Sequence, residues 1–106
     1  MEEIIDRDGN RIYMTEERWM HILDRHEEMF GLKDKVIKTL RTVRRKVEPL
    51  DPTISTYSKF YKDLPDLYNM LVVVVKFEIK NDKTNNFVLT AFLIYKRAGG
   101  RYDRKY

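Results

Sequence analysis

Two stretches, Tyr68-Asn-Met-Leu-Val-Val-Val-Val-Lys-Phe-Glu-Ile79 and Phe87-Val-Leu-Thr-Ala-Phe-Leu-Ile-Tyr95, decide the fold. Both are runs of β-branched, aromatic and aliphatic residues, and the polar segment Lys80-Asn-Asp-Lys-Thr-Asn-Asn86 separates them, so they read as the arms of a long antiparallel hairpin. With the loop centred on Lys83, Phe77 pairs with Leu89 and Lys76 stands directly opposite Thr90, their Cβ atoms about 5 Å apart. Side chains alternate along a strand, so Val72, Val74, Lys76, Val88, Thr90, Phe92 and Ile94 share one face. Leu71, Val73, Val75, Phe77, Leu89, Ala91 and Leu93 make the other, and both faces are apolar enough to be covered. The Lys76/Thr90 pair interrupts its face and has two readings. It is a functional polar pair, or Lys76 sits at the sheet margin and runs its stem out to water.

Upstream, residues 55–62 alternate Tyr57, Lys59 and Tyr61 with Thr56, Ser58 and Phe60, which suits a further strand, and Asp63-Leu-Pro-Asp66 reads as a turn. Pro49 and Pro52 prevent a helix there. Before them, Leu32, Val36, Ile37, Leu40 and Val43 recur at helical spacing and predict a helix over residues 33–42. Trp19, Ile22, Leu23, His26 and Phe30 predict another over residues 16–30, with Thr15 as its cap, Glu16 and Glu17 at the positive end of its dipole, and Gly31 as its stop. At the front, two short apolar pieces flank Asp8-Gly9, the signature of a small hairpin. The class is α+β.

The 106 residues allow one domain with one core. Charged residues make up 36%, above the usual quarter. Without cysteine there is no disulfide, no thiolate metal site and no cysteine nucleophile. Neither histidine completes a His-x-x-x-His or Glu-x-x-His spacing, so no metal or other cofactor is expected. Glycine-rich phosphate loops, nucleophile elbows and dinucleotide motifs are missing too, which removes kinase, hydrolase and dehydrogenase readings. No signal sequence is evident, and the longest apolar run, residues 70–75, is far too short to cross a bilayer, so no membrane is involved and the cytoplasm is the default compartment. The net charge of +4 is mild, but Arg41, Arg44, Arg45 and Lys46 cluster in the middle, and Lys96, Arg97, Arg101, Arg104 and Lys105 crowd the end. Such clusters concentrate polyanions, although a solvated face is the plainer reading and residues 98–106 read as a flexible basic tail.

Chemistry centres on Trp19-Met-His-Ile-Leu-Asp-Arg-His26, which puts both histidines of the chain on one helix. Histidine is the side chain whose ordinary pKa lies nearest neutral pH, and it is the commonest proton-transfer group. His26 falls on the apolar stripe, where it is either catalytic or a hydrogen-bonded core histidine. His21 points about 100° away from Ile22, nearer the solvated side. Trp19 reads as a core anchor. Tyr57, Tyr61 and Tyr68 could stack on bases, but tyrosines on strands commonly pack across the sheet.

The helix with Trp-x-His-Ile-x-x-x-His, a second helix, and antiparallel strands ending in Val-Val-Val-Lys and Phe-Val-Leu-Thr-Ala together resemble the phage-associated branch of the barnase, EndoU, colicin and RelE-like nuclease superfamily (PBECR). The similarity covers residues 11–96. This sequence has His26-Glu27-Glu28 where members usually carry His-Pro-Glu, so helix one is expected to run straight on. The resemblance implies two amino-terminal helices packed on a four-stranded antiparallel sheet with the small amino-terminal hairpin, a nuclease domain over residues 1–97, and metal-independent endoribonuclease activity by 2′-hydroxyl attack on the adjacent phosphate. His26, His21, Lys76 and Thr90 would be the catalytic set: His26 moving the proton, Lys76 stabilising the phosphorane, Thr90 bonding a phosphate oxygen. Arg44 and Arg45 would hold the RNA backbone, with Lys59 and Tyr61 on the next strand. RNA is the expected partner, together with an antitoxin or immunity protein for a toxin. The rival is a non-catalytic nucleic-acid-binding or protein-interaction module on the same fold.

Overall fold

The computed structural model describes residues 2–97. The tail expected over residues 98–106 lies outside the described residues. Strands β1 (Glu2–Ile5) and β2 (Arg11–Met14) form the amino-terminal hairpin, with Ile4 opposite Ile12 and Gly9 at φ +89° in the turn. Helix α1 (Glu16–Arg25) starts where expected, because the Thr15 hydroxyl accepts from the Arg18 amide at 3.0 Å. It stops sooner than expected. His26 leaves the helical conformation, a single 3-10 turn (Glu27–Met29) follows, and the phase of the apolar stripe changes: Met29 goes into the core and Phe30 out to solvent. Helix α2 (Lys33–Thr42) has the expected bounds.

After α2 come β3 (Lys46–Glu48), β4 (Asp51–Phe60), β5 (Met70–Lys76), the small pair β6 (Ile79–Lys80) and β7 (Lys83–Thr84), and β8 (Asn86–Ile94). Six of the eight strands of the described residues form one sheet in the order β1-β2-β8-β5-β4-β3, antiparallel except for the parallel pair β2–β8. This overturns the expected four-stranded antiparallel sheet with a separate hairpin. Ile4, Ile12 and Met14 are nearly inaccessible, burial that a free two-stranded hairpin cannot supply. The hairpin instead joins the main sheet by pairing Ile12 with Asn86 and Tyr13 with Phe87, and the buried Asn86 amide donates to the Arg11 carbonyl at 3.1 Å. Strand β3, absent from the sequence reading, is three residues of mostly polar edge opened by the Pro49-Leu50 turn.

The central hairpin forms, but with another register. Its turn is Asn81-Asp82, both at positive φ (55° and 64°), as a two-residue turn of matching twist requires. That turn sets Lys76 opposite Phe87 and Val75 opposite Val88. A bulge at Leu89 then adds one residue, so Thr90 faces Val74. Lys76 and Thr90 are therefore not opposite each other. The bulge also puts Val88 and Ala91, three positions apart, both into the core.

Trp19 and Ile22 of α1, Met29, and Val36 and Leu40 of α2 cover Leu71, Val73, Val75, Val88, Ala91, Leu93 and Tyr57. Helix α2 touches β1, β5 and β4, so the sheet curls around it. Among the described residues, no helix is long and apolar enough to cross a membrane.

Candidate functional site

The spacing 18, 21, 22, 25, 26 is one stripe of a helix. Because Trp19 and Ile22 anchor α1 in the core, that stripe turns Arg18, His21 and Arg25 toward the part of β8 that runs on past its pairing with β2. There Arg18, His21, Ile22, Arg25 and His26 meet Leu89 and Thr90 around a cavity of about 530 Å³. No carboxylate lines it. Two imidazoles, two guanidiniums and a hydroxyl thus line one cavity, the inventory that proton transfer beside an anion needs.

The break after Arg25 positions His26. Its backbone N–H donates to the Ile22 carbonyl at 2.7 Å, closing the helix, and its ring lies 5.7 Å from that of Phe92, tilted by 39°. Glu28, brought round by the 3-10 turn, places a carboxylate oxygen 3.6 Å from Nδ1. The ring is therefore held by an aromatic neighbour and an acid, and is only partly buried. His21 is exposed on the same wall.

Lys76 is elsewhere. Its ammonium donates to the Thr53 hydroxyl at 2.9 Å, on β4, across β5 from the cavity strand, and its charge helps Thr53 hold the Asp51 carboxyl below its ordinary pKa, the Thr53 hydroxyl being the larger cause. The expected convergence of Lys76 with Thr90 and His26 fails for the register reason given above. Arg18 and Arg25, which sequence reasoning passed over, take its place at the cavity. Their signal was present: each stands three or four residues from a histidine along the helix.

The expected nucleic-acid-binding residues do not line the cavity either. Arg44 is exposed. Arg45 stacks its guanidinium 4.2 Å from the Phe77 ring centre and donates to Ser55 Oγ at 3.0 Å, inside the sheet margin. Arg45 thus packs at the sheet margin. Arg45→Gln should lower stability by about 1 kcal/mol, a fall of roughly 5 °C in melting temperature, which a melting curve of the variant checks. Tyr61 donates or accepts with Thr39 Oγ1 at 3.0 Å, and its ring has the ammonium groups of Lys35, Lys59 and Lys38 at 5.4, 5.9 and 6.0 Å. Lys59 and Tyr61 therefore do come together, on the α2–β4 side.

Among the described residues, no three His, Asp or Glu side chains converge in a way that would hold a metal ion. Comparison with protein-family models, with curated proteins and with solved structures found no match for this chain.

Proposed function

We propose that this chain is a small endoribonuclease of toxin or phage type, related to the nucleases its sequence resembles, that cuts RNA by attack of the ribose 2′-hydroxyl on the adjacent phosphate without a metal ion. The observation that carries the reading is the convergence of Arg18, His21, Arg25, His26 and Thr90 on one cavity. The reaction needs a base to take the 2′-proton, an acid to protonate the 5′-oxygen that leaves, and fixed positive charge for the phosphorane between them. His26, held between Phe92 and Glu28, takes one proton-transfer role and His21 the other. Arg18 and Arg25 carry the charge role first expected of Lys76, and Thr90 donates to a phosphate oxygen. The products are a 2′,3′-cyclic phosphate and a 5′-hydroxyl. A cytoplasmic setting and a neutralising antitoxin or immunity protein belong to the same reading.

A non-catalytic nucleic-acid-binding module on the same fold is the second reading. The contact of His26 with Phe92, which a structural histidine would also make, favours it. Incubation with total RNA in EDTA separates the two. The nuclease yields fragments ending in cyclic phosphate, and RNA that stays intact at high protein concentration sinks the catalytic reading.

A further inference from the structure

Next to the histidine cavity lies a larger one, about 660 Å³, and Arg18 is a wall of both. Two features of its lining stand out. Lys80 and Lys83 are register partners in the β6–β7 pair, so two lysine side chains project from the same face of a hairpin of six residues. Like charges directly opposite each other destabilise a hairpin, and here no carboxylate lines the cavity to offset them. Of the nearby acids, Glu78 is held by the side-chain amide of Asn85 at 2.8 Å, and Asp82 stands exposed in the turn between the lysines, outside the lining. In the same lining, Tyr13 and Phe87 are register partners in the parallel β2–β8 pair. Neighbouring strands are about 4.8 Å apart, so the two rings sit side by side on one face, and both are left partly exposed. A ring pair fronted by Arg18, Lys80 and Lys83 offers a stacking face together with cations for a phosphate.

From this geometry we infer that the cavity is a nucleotide subsite. It takes one nucleotide of single-stranded RNA flanking the scissile phosphate, the base stacking on Tyr13 and Phe87 and the phosphate lying between Lys80, Lys83 and Arg18. The inference rests on the endoribonuclease reading for its orientation, since Arg18 would then contact both the flanking and the reacting phosphate. The parallel pairing that joins the amino-terminal hairpin to β8 is what builds the ring pair, and the Asn81-Asp82 turn is what sets the lysines face to face.

The test uses the full chain and a short oligoribonucleotide carrying 2′-O-methyl groups, which lacks the attacking hydroxyl and so reports binding whether or not the protein cuts RNA. The double variant Lys80→Gln, Lys83→Gln should bind it at least about tenfold more weakly, with the slope of log affinity against log salt reduced by roughly 1.4. Tyr13→Leu, which keeps an apolar side chain on the strand, should also weaken binding by about tenfold through lost stacking. Lys62→Gln, an exposed charge outside the cavity, serves as the control and should change the slope by no more than its own charge. Variants that bind as tightly as the wild type, or a wild type that does not bind the oligonucleotide, overturn the subsite even if RNA is cleaved. Equal competition by polyglutamate overturns it too, because the rings would then add nothing. If the variants lose binding while the wild type leaves unmodified RNA uncut, the subsite stands and the catalytic reading falls.

Discussion

Changing His26 to Gln should reduce RNA cleavage by about a hundredfold or more, the contribution of a positioned general acid or base. Glutamine keeps a polar side chain of similar size but cannot exchange a proton near neutral pH. The stability loss should be modest, about 1 to 2 kcal/mol, because the side chain is partly exposed and gives up only its contacts with Phe92 and Glu28. Melting temperature and cleavage rate followed on one sample distinguish the roles. A variant that melts early yet cuts at the normal rate at a permissive temperature would show a purely structural histidine, and His21 would remain as the only imidazole on the cavity wall.

The largest stability effect is expected at Asp6. Its carboxylate closes the β1–β2 turn by accepting from the Asp8 and Asn10 amides at 2.9 and 2.8 Å and from the Asn10 side chain at 2.9 Å. It also accepts from the hydroxyl of Tyr57, which has no solvent exposure. Burial alone would raise the Asp6 pKa, but the hydrogen bonds, that from Tyr57 first among them, outweigh it and hold the carboxyl below its ordinary value. Burial and the same carboxylate push the Tyr57 phenol far up, so it stays a neutral donor at any physiological pH. Asp6→Ala strands that hydroxyl in the core and frees the turn. A loss of about 3 kcal/mol follows, or a fall of roughly 15 °C in melting temperature.

The sign with pH is fixed by the direction of the shift. A carboxyl whose folded pKa is depressed contributes stability above its unfolded pKa, about 4, and that contribution is lost as pH falls through the folded value. Wild type should therefore lose stability more steeply below about pH 4 than Asp6→Asn does. Parallel acid-titration slopes for the two proteins, or a drop of only a degree or two in Asp6→Ala, would remove Asp6 as the clip between hairpin and sheet.

Asp6 and Tyr57 also show where sequence reading ran out. They are 51 residues apart, and nothing local to either announces the other. The site divides in the same way. His26, His21 and Thr90, which line one cavity, stood out in the sequence as a titratable pair and a hydroxyl in an apolar strand. Lys76 was misplaced because a register was inferred from the midpoint of a polar loop. The real turn lies at Asn81-Asp82, and the bulge at Leu89 shifts the pairing once more.

The sequence by itself determined what depends on neighbours within a few residues. The Thr15 cap, the 3.6-residue pattern of α2 and the amino-terminal hairpin around Asp8-Gly9 formed as read, and the Val-rich runs became strands with other bounds and another register, since capping, periodicity and turn chemistry act locally and strand pairing does not. Only the tertiary structure decided the parallel docking of β2 on β8, the early end of α1 at His26 and the cavity shared by Arg18, His26 and Thr90. The hairpin alone leaves Ile4, Ile12 and Met14 without cover, and α1 can bury Met29 only by breaking its own stripe. These outcomes depend on which apolar side chains meet across the whole chain, which no short stretch of sequence contains.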